Sequence, residues 1–294
     1  MLPIPPNIEE DLARLVERAL SEDVGSGDVT TLAAIPAERD AKAQFLAKSK
    51  GILAGLAVAE RVFATVDPEL TVSWTAVDGD KVDSGRTFGS ISGPARSILT
   101  SERVVLNFMQ RMSGIATATH KMAAAAHPAR ILDTRKTAPG LRLLDKWAVR
   151  LGGGQNHRTG LFDMVLIKDN HIAASGGIEQ AIVAARSYLA TNDLDLEIEI
   201  ETRSLEEVEE VLRVGGVDRV LLDNMVSQSG DSLDTSVLSD AVQRINRRFQ
   251  TEASGNVTIE TVSQIAKTGV DFISSGALTH SVRALDISLD IMLS

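Results

Sequence analysis

Arg135, Lys136 and Lys168 stand at the ends of two short apolar runs, Ile131-Leu132 and Met164-Val165-Leu166-Ile167. Glu201 and Asp223 hold the same place after Leu196–Ile200 and Val220-Leu221-Leu222. A charge that closes a buried strand has no packing role, and in strand–helix proteins such ends carry the reacting groups. The two sets suit two tasks. Arg135, Arg158 and Lys168, with His157, can hold a di-anion, because a guanidinium grips a carboxylate through paired N–H bonds. Glu201 and Asp223 are hard oxygen ligands suited to Mg²⁺, an ion that keeps waters and bridges to phosphate oxygens. Two more strand ends are small, Ser254-Gly255-Asn256 and Ser275-Gly276-Ala277, and at Ser254-Gly255 and Ser275-Gly276 backbone N–H groups can approach a phosphate. Carboxylate clamp, metal acids and phosphate cradle together point to transfer from a phosphorylated sugar diphosphate. These residues alone leave the acceptor unnamed.

The elements that must position them alternate from residue 129 onward. Apolar runs predict strands over 129–134, 164–168, 196–201, 218–223, 250–254 and 271–275. Helical spacing predicts helices over 138–151, 177–189, 204–214, 236–248 and 258–268. Such alternation implies parallel strands with helical crossovers, in an open doubly wound sheet or a barrel. No G-x-G-x-x-G follows the first strand, and six populated strand ends favour the barrel. Thr137-Ala138-Pro139 reads as a helix start, and Arg142, Lys146 and Arg150 fit a solvated basic helix face. Strict alternation in Leu196–Glu201 turns Glu197, Glu199 and Glu201 to one side, into the barrel, where Arg135, Lys136 and Lys168 are the available partners.

The first hundred residues read as a small α+β unit. Residues 8–20 are an amphipathic helix, and Ser21–Thr31 is a Gly/Asp/Ser turn, without the closing bidentate acid of a calcium loop. Strands follow at 41–48, 70–77 and 88–91, with a helix through Phe63 and a hairpin at Asp78–Gly85. Thr100 or Ser101 caps a long helix to about Ala126, which places Arg103 in its first turn, against the helix dipole.

The bulk composition narrows the function. Of 294 residues, 44% are hydrophobic and the formal charge is −10, which predicts a packed core and argues against a general nucleic-acid binder. The absence of cysteine excludes disulfides, thiolate zinc sites and a cysteine nucleophile. No run approaches the roughly 20 apolar residues of a membrane span. The expectation is a cytoplasmic protein; a removed organelle peptide would leave no trace.

Taken in order, the motifs resemble the quinolinate phosphoribosyltransferase family, the carboxylating nicotinate-nucleotide pyrophosphorylases. The resemblance is carried by Glu22-Asp23 with Gly27–Thr31, by Ser101-Glu102-Arg103 with Ser113–Thr117, and by Asp133–Thr137. It continues through Asn156-His157-Arg158, Leu166–His171, Leu221–Asn224, Glu252–Asn256 and Ser275–Ser281. It implies an α/β fold: an incomplete (β/α) barrel over 114–280 with an N-terminal α+β sandwich domain over 1–113, to which 281–294 returns. It implies a reaction of quinolinate with phosphoribosyl pyrophosphate and Mg²⁺ that yields nicotinate mononucleotide, CO₂ and pyrophosphate, the de novo route to NAD. By matching motifs, Arg103, Arg135, His157, Arg158 and Lys168 bind quinolinate, while Lys136, Glu201, Asp223, Ser254, Gly255, Gly276 and His280 serve the sugar phosphate and the metal. Thr134, Asn256, Ser275 and Ala277 complete the binding set, and Lys136, Lys168, Glu201 and Asp223 carry the catalysis. The family often has a second glycine where Asn256 stands. A homodimer with shared sites is implied, Arg103 entering the partner's pocket. Alternatives are a nicotinate-type or molybdenum-associated paralogue, a Schiff-base lyase using Lys168, and an anion-binding protein without catalysis.

Overall fold

The strands Arg130–Leu132, Val165–Ile167, Ile198–Thr202, Arg219–Asp223, Gln250–Ser254 and Phe272–Ser274 form one six-stranded sheet in the computed structural model, which describes residues 6–229 and 232–292. All five pairings are parallel. Numbered along the chain, the strands lie in the order first, sixth, fifth, fourth, third, second. Sequential neighbours with the first beside the sixth is barrel order, and a doubly wound sheet would reverse at a switch point. The second strand does not close onto the first. Gln155 instead makes a single parallel bridge to Leu132, so the barrel is incomplete.

Local chemistry explains the crossovers. Ser204 accepts the Glu207 N–H at 3.3 Å and starts the helix Leu205–Val214. Glu206 and Glu207 lie in its first turn and Arg213 in its last, each on the favoured end of the dipole. Val208 and Val211 face inward, and Gly215, at φ +68, ends the helix. The barrel strands bury Ile131, Ile167, Ile198, Ile200, Val220, Leu222 and Ile273.

The chain clusters into two compact units. One comprises residues 121–137 and 154–281, and contains the parallel sheet; the other comprises 1–120, 138–153 and 282–294. The latter holds an antiparallel sheet in the order Ile287–Met292, Asp40–Ala47, Thr87–Pro94, Thr71–Trp74. Phe45 lies 4.8 Å from Trp74, 5.8 Å from Phe88 and 6.2 Å from Phe63 between ring centroids. The Trp74 ring fills the space where a Cβ on Gly89 would stand, so this strand position needs glycine.

Several elements differ from the sequence expectation. Val29–Ala34 is a short helix that begins within the expected turn, because Asp28 caps it by accepting the Thr31 N–H at 3.0 Å. The expected hairpin tip is a longer connection. Lys81–Val82 pairs with Gly51–Ile52, and buried Asp78 accepts the Leu56 N–H at 3.0 Å. The long helix runs Ala95–Ala126, starting directly after Pro94. Ser101 is inside it and donates back to Ser97 O at 2.7 Å, so Arg103 lies two turns in and feels no N-terminal dipole penalty. The helix after Thr137 starts only at Arg142, because Gly140, at φ +80, makes a turn of Pro139-Gly140. That helix clusters with the antiparallel unit. Arg111 donates Nε and Nη2 to buried Asp145, both at 2.8 Å. Lys146 is buried, not solvated; of the expected basic face only Arg150 is exposed. Among the described residues no helix is long and apolar enough to cross a membrane.

Candidate active site

The C-terminal ends of the parallel strands open onto a cavity of about 680 Å³, in the range of small-ligand sites. One wall is basic. Asp133, fully buried at the end of the first strand, accepts the Asn156 side-chain amide at 2.6 Å and the His157 N–H at 2.9 Å. That pins the loop carrying His157 and Arg158. His157 Nδ1 accepts the Arg158 N–H at 2.7 Å, which leaves the ring proton of the neutral imidazole on Nε2. Arg135 and Arg158 line the cavity. Burial, then the like charge of Arg135, lowers the pKa of Arg158. Arg135 and Lys136 make no ion pair among the described residues, contrary to the expectation that they would neutralise the inward acids.

Of the three acids, Glu201 meets an expected partner, Lys168, Glu197 is exposed instead of inward, and Glu199 lies elsewhere. Glu199 Oε2 is 2.9 Å from His157 Nε2, and Glu252 Oε1 is 3.6 Å from it. Arg219 Nη1 donates to Glu252 Oε2 at 3.1 Å and its guanidinium sits 4.2 Å from the Phe272 ring centroid. Burial pushes both acids up to about 7; Arg219 opposes this for Glu199, and the charge of Glu199 adds to it for Glu252. A carboxyl raised in the folded state binds more protons there than in the unfolded chain, so stability falls as pH climbs from the ordinary value of 4.5 toward about 7. Glu199→Gln removes one such group and the like charge on the other. The stability of wild type relative to Glu199→Gln should therefore drop by on the order of 1–3 kcal/mol between about pH 5 and about pH 8. Urea unfolding across that range measures it; parallel pH profiles would contradict the buried acid pair.

The opposite wall holds Glu201 and Asp223, on paired strands. Glu201 is buried. Lys168 Nζ donates to its Oε2 at 2.8 Å and Arg203 Nη2 to its Oε1 at 3.1 Å. Burial, then the charge of Glu201, raises the Asp223 pKa. Two hard carboxylates that repel each other across a polar cavity fit a divalent cation such as Mg²⁺. Beside them, Asn224 Oδ1 occupies the Cβ space of Gly255, at φ +101, so a side chain there is excluded. Asn256 takes φ +49, a left-handed conformation that asparagine tolerates better than most residues. Lys136 packs its Cδ 2.9 Å from the Cβ position of Gly276, with the His280 ring at 3.0 Å on the same glycine. Of the expected phosphate donors, the Ser275 N–H is already given to Leu132 O at 3.0 Å.

Two family models match, quinolinate phosphoribosyl transferase C-terminal domain over residues 115–290 and N-terminal domain over residues 28–113. The chain belongs to the quinolinate phosphoribosyltransferase family. A relative named quinolinate phosphoribosyltransferase [decarboxylating] 2, mitochondrial, from Nicotiana glauca is 58% identical, covering 98% of this chain and 84% of that one. A probable nicotinate-nucleotide pyrophosphorylase [carboxylating] from Bacillus subtilis is 41% identical, covering 96% and 94%. Among solved structures, NadC from Streptococcus pyogenes superposes with a TM-score of 0.90 at 40% identity, covering 99% of both chains.

Every site residue expected of a quinolinate phosphoribosyltransferase from these motifs lines the cavity, Thr134, Ala277 and His280 included, with one exception. Arg103 lies in the antiparallel unit, where its exposed guanidinium is 4.0 Å from Glu102. Glu252, which stands only as part of a motif, Arg219 and Arg203 have no role expected from sequence. Glu252 had a signal, an acid between Thr251 and Ala253 in a buried strand. Arg203 had a weaker one: it also follows a strand end, but Glu201, two residues earlier, takes the strand-end place.

Proposed function

We propose that this protein transfers the phosphoribosyl group of phosphoribosyl pyrophosphate to the ring nitrogen of quinolinate, with loss of CO₂, giving nicotinate mononucleotide and pyrophosphate. The observation that carries this reading is the pair of cavity-lining guanidiniums, Arg135 and Arg158, without an ion pair among the described residues; with Lys168, which lines the same cavity, they offer charge for two carboxylates on one ring. The opposite wall, with Glu201, Asp223 and Lys136 beside the small residues Ser254, Gly255 and Gly276, suits a sugar phosphate and its diphosphate.

In this account Arg135, Arg158 and Lys168 hold both carboxylates, with the His157 ring as fixed wall, so that the pyridine nitrogen faces the anomeric carbon. Glu201 and Asp223 would hold Mg²⁺, which when bound stabilises the charge of the departing pyrophosphate. Lys136, its stem fixed over Gly276, adds positive charge where the diphosphate leaves. Attack by the ring nitrogen gives a pyridinium; its positive nitrogen stabilises the carbanion left on the ring carbon as the neighbouring carboxylate departs as CO₂, and that carbon then takes a proton from water. The protein supplies position and complementary charge; no side chain becomes a nucleophile. We also propose a homodimer in which the motif-matched Arg103 reaches the partner's cavity.

The acceptor distinguishes this reading from a nicotinate-type paralogue. With saturating phosphoribosyl pyrophosphate and Mg²⁺, quinolinate should release pyrophosphate steadily. Nicotinate lacks one carboxylate, and losing a charge-assisted contact costs about 1.5–3 kcal/mol, so its kcat/KM should be roughly 10-fold or more lower. Equal or faster turnover of nicotinate would reverse the assignment.

A further inference from the structure

Arg203 occupies the acids that a metal would need. Its backbone is fixed just past the strand Ile198–Thr202, where its N–H donates to Glu207 Oε2 at 2.7 Å. From there the guanidinium turns back over the cavity. Nη2 lies 2.8 Å from Asp169 Oδ2 and 3.1 Å from Glu201 Oε1, and Nε lies 3.8 Å from Asp223 Oδ2. With Lys168 on the other oxygen, both oxygens of Glu201 are engaged by cations. Asp223 Oδ2 also accepts the Asn224 side-chain amide at 2.7 Å. A divalent ion on Glu201 and Asp223 meets a guanidinium already there.

The two cations on Glu201 are not equivalent. Lys168, itself 46% exposed, has Glu201 as its ion-pair partner, whereas Arg203 reaches further acids as well. Arg203 has half of its side chain in solvent, so its long stem can swing out without disturbing packing. It also keeps a second anchor, Asp169, at the cavity rim. Leaving Glu201 and Asp223 costs the guanidinium two charged contacts unless another anion arrives with the metal. A diphosphate is such an anion, and a planar guanidinium matches phosphate oxygens.

We infer that Arg203 is a tethered competitor of the metal: it holds Glu201 and Asp223 in the ligand-free protein and hands over to the diphosphate when the metal–diphosphate complex enters. This rests on the metal-acid assignment proposed above and adds an order to it. Free metal is held weakly, and metal chelated to diphosphate is the species that loads. Arg203 is thereby a positioning residue for the metal acids and a binding residue for the diphosphate.

Mn²⁺ binding to the full-length protein without substrates tests this, with unbound Mn²⁺ read by electron paramagnetic resonance. Arg203→Met keeps the stem and removes the charge. It should bind Mn²⁺ about tenfold more tightly than wild type, the effect of removing one positive charge a few ångströms from a divalent ion in a solvated cavity. Adding inorganic pyrophosphate with the Mn²⁺ should erase that advantage, because wild type then gains a guanidinium–phosphate contact. Asp223→Asn should weaken Mn²⁺ binding. If Arg203→Met and wild type bind Mn²⁺ equally while Asp223→Asn is weakened, the competitor role is overturned and the metal acids stand. If all three bind equally, both are overturned. An advantage undiminished by pyrophosphate overturns the hand-over.

Discussion

Lys168→Ala should lower kcat/KM for quinolinate by roughly 10- to 150-fold, the equivalent of one charge-assisted contact of about 1.5–3 kcal/mol. The ammonium donates to Glu201 at 2.8 Å and lines the same cavity as Arg135 and Arg158. Removing it therefore weakens the carboxylate clamp and leaves buried Glu201 with one cation fewer. The side chain is nearly half exposed, at 46%, so its ion pair contributes little to folding. Thermal unfolding of the variant should stay close to wild type while turnover falls, which separates a site defect from a folding defect. Near-normal kcat/KM would remove Lys168 from the mechanism. The same residue separates this account from a Schiff-base lyase: borohydride with substrate should leave no covalent adduct on Lys168.

Mixing two inactive proteins should restore activity. Arg103 matches the family's motif but does not line the cavity of its own parallel unit, and its exposed guanidinium has only a 4.0 Å contact with Glu102. In the proposed isologous dimer each subunit lends one Arg103 and borrows one. A mixed dimer of Arg103→Ala and Lys168→Ala then has one site with both defects and one with neither. Equal amounts pairing at random should regain up to about a quarter of wild-type activity per total protein. Each variant alone should stay low. No recovery, with subunit exchange demonstrated, would mean that Arg103 acts within its own chain or not at all.

The site was largely readable because its residues close strands. Lys168, Glu201 and Asp223 each follow an apolar run, and period-two alternation turned Glu199 inward. What alternation could not tell was who meets whom. Arg135, Lys136 and Lys168 match the inward acids by charge alone, and of the three Lys168 meets one, Glu201. In the folded chain Glu199 and Glu252 meet His157 and Arg219, because neighbouring parallel strands bring Arg219 beside both Glu199 and Glu252, and neither pairing is written in local sequence. Helix starts failed where a turn competes: Pro139-Gly140 delays one helix, and Pro94 advances another to Ala95. Lys146 misled for a different reason. Its helix buries residues Leu144 to Val149 without a break, and a lysine inside such a run looks from sequence like an exposed one. Asn256 was a departure from the family pattern by residue type only; its φ of +49 shows the backbone demand met by asparagine.

Sugar transfer and decarboxylation should occur on one ring in one cavity. Quinolinate carrying ¹⁴C in the carboxylate next to the ring nitrogen, turned over with phosphoribosyl pyrophosphate and Mg²⁺, measures this directly. Label should leave as CO₂ one for one with pyrophosphate, and the mononucleotide formed should carry none. Label retained in the nucleotide, or pyrophosphate released without CO₂, would contradict it.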